Sequence, residues 1–214
     1  MTKINKERLP NELLFVLYFW GFSLLRPILQ INEEYSTLIL FAYALILLSI
    51  SLFKTIYLPI PLKCYTLITT VILIILFDLL FRPNDYTLTY LYDFIIYGAI
   101  PAYFLSHVKD AKKLLKFFSY FSSIVFVLYF LDPFNGYSIF GDYMSFGFNL
   151  ALPAYFGLYI GRKTFNYKWM GILELLCLLE IIIFANRSAI LSVMVLWLLV
   201  ELYYFKHSVK KSII

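Results

Sequence analysis

Residues 169 to 205 read WMGILELLCLLEIIIF, then ANRS, then AILSVMVLWLLVELYYF. Two apolar runs, each near the roughly 20 residues that cross a bilayer's hydrocarbon layer, are separated by a short break that holds Arg187. This is the pattern of a membrane helical hairpin. An arginine near hydrocarbon costs about 2.5 to 3.5 kcal/mol at a helix centre and is retained where it snorkels, pairs or binds a ligand.

The rest of the chain has the same character. Of 214 residues, 62% are hydrophobic and 14% charged, and the mean hydropathy is +0.82. One soluble core could not hide so many apolar side chains, whereas a bilayer solvates them. The expected fold is therefore all-α, a polytopic transmembrane helix bundle in a single domain. Eight candidate spans run near 13–28, 35–53, 64–81, 88–106, 114–131, 143–161, 169–185 and 188–205. No small-x-small cleavage pattern follows the first, which reads as a retained signal-anchor.

Charge orients the bundle, because cytoplasmic loops are enriched in Lys and Arg. With eight spans, one side takes Lys3, Lys6, Arg8, Lys54, Lys63, Lys109, Lys112, Lys113, Lys116, Arg162, Lys163, Lys168, Lys206, Lys210 and Lys211; the other takes Arg26, Arg82 and Arg187. Both termini are predicted to be cytoplasmic. Every outer cation is an arginine, whose planar fork of donors suits phosphate oxygens better than a lysine's point charge. Arg26-Pro27 and Arg82-Pro83 each sit where an outward-running helix ends before a proline, so capping of helix C-termini is an equal reading for that pair.

In the sixth span Gly147, Ala151, Ala154, Gly157 and Gly161 fall on one helix face, a small-residue stripe that lets a neighbouring helix approach. Pro153 should bend this helix, and Asn149 needs a polar partner. Asp78, Asp93, Glu174, Glu180 and Glu201 lie within spans. Asp78 is spaced to pair with Arg82; Glu174 and Glu201 lie near lysine-rich ends; Asp93 and Glu180 are expected to face protein or a wet cavity. In an unbroken helix Glu180 would lie two turns from Arg187 on nearly the same face, making a structural pairing a competitor to ligand binding.

His107 and His207 fall in lysine-rich segments and read as solvated or interfacial. Cys64 and Cys177 read as small hydrophobes. No zinc spacing, P-loop, GxSxG or Rossmann fingerprint is present. The basic residues are dispersed over several loops, which does not support nucleic-acid binding. Aromatic residues, 21% of the chain, read as interface belts and packing.

Gly141-Asp142-Tyr143-Met144-Ser145-Phe146-Gly147-Phe148-Asn149-Leu150, a small-rich helix, a short basic loop and Phe184-Ala185-Asn186-Arg187-Ser188-Ala189-Ile190-Leu191 come in that order. The passage from about Phe140 to Leu199 resembles the middle of bacterial O-antigen and capsular-polysaccharide repeat-unit polymerases (Wzy-type), which belong with the O-antigen ligases. The resemblance implies multi-pass residence in the cytoplasmic membrane and transfer of a glycan from one polyprenyl pyrophosphate to a sugar hydroxyl of another at the outer face. It implies no metal and no cofactor. Its partners would be a polyprenyl-pyrophosphate-linked oligosaccharide, membrane lipid, and a chain-length regulator or flippase of the same pathway.

By the same resemblance Arg187, flanked by Asn186 and Ser188, matches the family's arginine motif and would bind pyrophosphate. Arg82 and Arg26 would assist, on sidedness alone. The family's large outer loop and later helices have no counterpart here, so the chain resembles an N-terminal half and no general base is identified.

Two alternatives differ in kind. A polytopic transporter or lipid-carrier flippase would be marked by related halves, and no internal repeat is read in the sequence. A non-catalytic membrane assembly protein would use Arg187 only for pairing or snorkelling.

Overall fold

A computed structural model describes residues 10–28, 33–55, 62–82, 84–130, 147–183 and 187–212. The fold is all-helical, with no strand among the described residues. Among the described residues nine α-helical segments follow one another in the order of the apolar segments: α1 (Asn11–Ile28), α2 (Glu33–Thr55), α3 (Leu62–Phe81), α4 (Asp85–Asp93) running through a π-helical turn (Phe94–Ala99) into α5 (Ile100–Ser106), α6 (Ala111–Phe130), α7 (Leu152–Phe165) entered through a second π turn (Gly147–Ala151), α8 (Met170–Ile183) and α9 (Arg187–Ser212). Among the described residues one helix, Tyr86–Ser106, is long and apolar enough to cross a membrane, with a mean hydropathy of 1.3; Leu38–Phe53, Thr66–Phe81 and Ala189–Leu202 are shorter apolar helices.

The chain forms two compact units, Met1–Phe117 and Phe118–Ile214. In the first, Leu14, Ala44, Leu47, Ile96, Ile100 and Phe104 make the core. Gly21 allows a close crossing of α1 and α2, since a β-carbon there would lie 1.9 Å from the Tyr43 hydroxyl, which donates to Leu17 O at 2.7 Å. The start of α1 is tied to the segment after α5. Asn11 Nδ2 donates to His107 O at 3.1 Å, and Glu12 Oε1 accepts from the backbone N–H of Lys109 at 3.0 Å and of Asp110 at 3.1 Å. Asp110 Oδ1 in turn caps α6 by accepting from Lys112 and Lys113 N–H at 2.9 and 3.0 Å. Antiparallel packing of α1 on α5 follows, and the end of α1 with Arg26 lies towards the end of the unit where α4 begins.

In the second unit the small-residue stripe packs tightly, and Gly147, Ala151, Ala154, Gly157 and Gly161 are all buried. A β-carbon on Gly157 would lie 2.0 Å from Ser122 Oγ, and one on Gly161 would lie 2.1 Å from Met170 Sδ. Helix α7 stops at Asn166, whose φ of 59° is the left-handed conformation that asparagine tolerates at a helix end, and its N–H bonds Gly161 O. The chain then returns antiparallel as α8. Arg162 holds Glu174 across this turn with Nε at 2.6 Å and Nη2 at 3.0 Å from the two carboxylate oxygens; at the far end Cys177 Sγ donates to Ala151 O at 3.3 Å.

A second reversal separates α8 from α9. Lys163 Nζ lies 2.6 Å from Glu201 Oε1, and Tyr159 donates to the same oxygen at 2.8 Å. Were α8 and α9 one helix, Glu201 would stand roughly 40 Å along the axis from Glu174 at 1.5 Å per residue; instead both contact adjacent residues of α7. The unbroken helix that would align Glu180 with Arg187 therefore does not form.

Candidate functional site

The chain reversal places Arg187, the first residue of α9, at the end of the second unit opposite Arg162, Lys163, Glu174 and Glu201. Asn186 lies outside the described residues, and of Arg187 and Ser188 only the backbone is described. Arg26 is likewise described by its backbone, in the last turn of α1. Arg82 is exposed at a bend after α3, where its N–H bonds Asp78 O at 2.7 Å and its carbonyl accepts from Asn84 Nδ2 at 3.2 Å. Thus the structure brings Arg26 and Arg82 towards one end of the first unit and sets Arg187 at one end of the second.

The expected Asp78–Arg82 ion pair is absent among the described residues. Asp78 Oδ2 instead accepts from Thr87 Oγ1 at 3.2 Å. Asp93, expected to face protein or a cavity, is exposed on its unit. His107, expected to be solvated or interfacial, is buried, with Nδ1 2.8 Å from Tyr103 O beneath the Asn11 and Glu12 contacts. Glu174 is committed to Arg162, whose guanidinium pKa is raised chiefly by that hydrogen bond.

Glu180 differs from these. It is buried, 7% exposed, and its Oε1 has no hydrogen-bond partner. It lies one turn before the end of α8. The antiparallel register with Gly161 against Met170 and Ala151 against Cys177 sets its position on α8 opposite the π turn Gly147–Ala151.

That turn has a counterpart missed in the sequence. Ala99-Ile100-Pro101-Ala102-Tyr103-Phe104 and Ala151-Leu152-Pro153-Ala154-Tyr155-Phe156 match at every position but the Ile/Leu, and each begins on the last residue of a π turn. In the first, Ile100 N–H bonds Ile95 O, five residues back. Pro101 has no N–H with which to serve Ile96 O in the same way, and the Tyr18 hydroxyl donates to that carbonyl instead. In the second, Pro153 equally cannot serve Phe148 O. The shared hexapeptide was the available signal, diluted by the apolar sequence around it.

No group of three or more His, Cys, Asp or Glu gathers as a metal site among the described residues. Compared with protein-family models, with curated proteins and with solved structures, the chain matches none.

Proposed function

We propose that the chain is a multi-pass protein of the bacterial cytoplasmic membrane, with eight spans and both termini cytoplasmic, that acts as a polysaccharide repeat-unit polymerase. Polyprenyl-pyrophosphate-linked saccharides would be joined at its outer face, with Arg187 binding the pyrophosphate and stabilising it as it leaves. Membrane residence is supported by the helix Tyr86–Ser106, of which only 17% is buried, and by Leu38, Phe53, Leu73, Phe77, Leu80, Trp197 and Leu199, all exposed. Lipid is the solvent that accepts such faces without cost.

The observation that carries the reading is the position of Arg187 at the end of α7–α8–α9 opposite the basic α7–α8 turn. If that turn is cytoplasmic, the side that the enrichment of Lys and Arg in cytoplasmic loops favours for Arg162, Lys163 and Lys168, Arg187 would meet substrates on the outer surface. Deleting the gene should abolish long surface polysaccharide chains and accumulate single repeat units, and restoring it should reverse both. An unchanged length distribution would sink the proposal.

One observation favours a second reading. Proline-interrupted helices recurring in a chain are a mark of transporters, and the paired hexapeptides supply one, so a lipid-carrier flippase is the competitor. It predicts repeat units trapped on the cytoplasmic side after deletion, where the polymerase predicts them outside.

A further inference from the structure

We infer that Glu180 is the general base of glycan transfer, taking the proton from the acceptor sugar's hydroxyl; the assignment rests on the polymerase reading. Among the carboxylates whose side chains are described, the others are committed or exposed. Glu12 holds two backbone N–H groups, Asp110 caps α6, Glu174 and Glu201 are held by Arg162 and Lys163, and Asp78 and Asp93 are exposed. Glu180 alone of these combines burial with an oxygen that has no partner.

A buried polar atom left unsatisfied costs about 1 to 3 kcal/mol, so its retention calls for a ligand that donates to it. The hydroxyl of a sugar is such a donor. Position agrees with chemistry: Glu180 is about 4.5 Å of helix rise below Ile183, at the end of the unit where α9 begins with Arg187.

In the step itself the acceptor oxygen bonds to the anomeric carbon of the donor sugar. The bond from that carbon to the pyrophosphate oxygen breaks, its electron pair staying on the pyrophosphate, where Arg187 offsets the charge. The acceptor's proton passes to the Glu180 carboxylate and from there to water. Products are the lengthened glycan on one carrier and free polyprenyl pyrophosphate.

The test uses the full chain in liposomes with a synthetic polyprenyl-pyrophosphate oligosaccharide. General-base catalysis is typically worth about 10²- to 10⁴-fold, so Glu180→Gln should lower kcat by roughly 100-fold or more while KM and the affinity for polyprenyl pyrophosphate stay within about twofold of wild type. Glu180→Ala should be equally slow, and added formate should restore part of its turnover, which a purely structural carboxylate would not permit. Wild-type turnover with Glu180→Gln retaining activity within about tenfold overturns the base assignment alone. A wild-type protein that binds the carrier and forms no glycosidic bond overturns the polymerase reading and the assignment with it.

Discussion

Lys163 and Glu201 meet at 2.6 Å although 38 positions separate them, and this contact returns the last helix to the end of the second unit where α7 meets α8. Cysteines at positions 163 and 201 should therefore be joined efficiently by a short bifunctional thiol reagent in membranes. A pair at 174 and 187, at opposite ends of α8 and α9, should not. Mass spectrometry of the cross-linked peptides decides between this hairpin and one continuous helix.

The Tyr18 hydroxyl stands in for the N–H that Pro101 lacks, so the two residues should be coupled. Tyr18→Phe should cost about 1 to 2 kcal/mol by leaving Ile96 O without its donor. In a Pro101→Ala background, where a backbone N–H is present again, the same change should cost less. A double-mutant cycle of unfolding in detergent measures the difference; additive effects would mean that proline and tyrosine are unrelated.

Glu12 gives the first unit an acid limit. Burial raises its carboxyl pKa, but the backbone N–H groups of its own residue, Lys109 and Asp110, with the charge of Lys113, outweigh this and hold it below the ordinary 4.5. The folded pKa is thus depressed: the stabilisation is full above the unfolded value and is lost as pH falls through the folded one. Stability against thermal unfolding should fall on acidification below the ordinary carboxyl value of 4.5, and Glu12→Gln should flatten that limb while lowering stability at neutral pH.

Glycine positions on α7 should respond unequally. Gly157→Ala would press a β-carbon to 2.6 Å from Ser122 Cβ and 3.1 Å from Phe118 Cδ1, close to a stiff attachment point. Gly161→Ala meets first the flexible end of Met170. Overpacking of this kind costs about 1 to 3 kcal/mol, so Gly157→Ala should unfold at lower temperature than Gly161→Ala.

Much of the all-helical architecture was legible because long apolar runs announce helices by their length and composition. The segment around Tyr86–Ser106 and the stripe from Gly147 to Gly161 needed no tertiary knowledge. What escaped depended on contacts distant in sequence. His107 read as solvated from its lysine-rich neighbours, yet Asn11 and Glu12 cover it across more than 90 residues. The Asp78–Arg82 spacing suggested a pair, but the Asp78 carboxylate accepts from Thr87 on the following helix. Proline was read as a bend in α7, but the preceding π turn and the carbonyl freed by Pro101 depend on local hydrogen-bond geometry that spacing does not reveal.

If Arg187 acts on pyrophosphate at the outer face as proposed, three forms of the protein should differ in the products they make. Wild type, Arg187→Lys and Arg187→Ala, each as the full chain in liposomes, are given the same lipid-linked repeat unit, and product chain length is measured. Wild type should form long chains, Arg187→Ala none, and Arg187→Lys only a small fraction, because a point charge does not replace the two-point fork. Full-length products from Arg187→Lys and Arg187→Ala alike would contradict the account and leave the arginine a structural role.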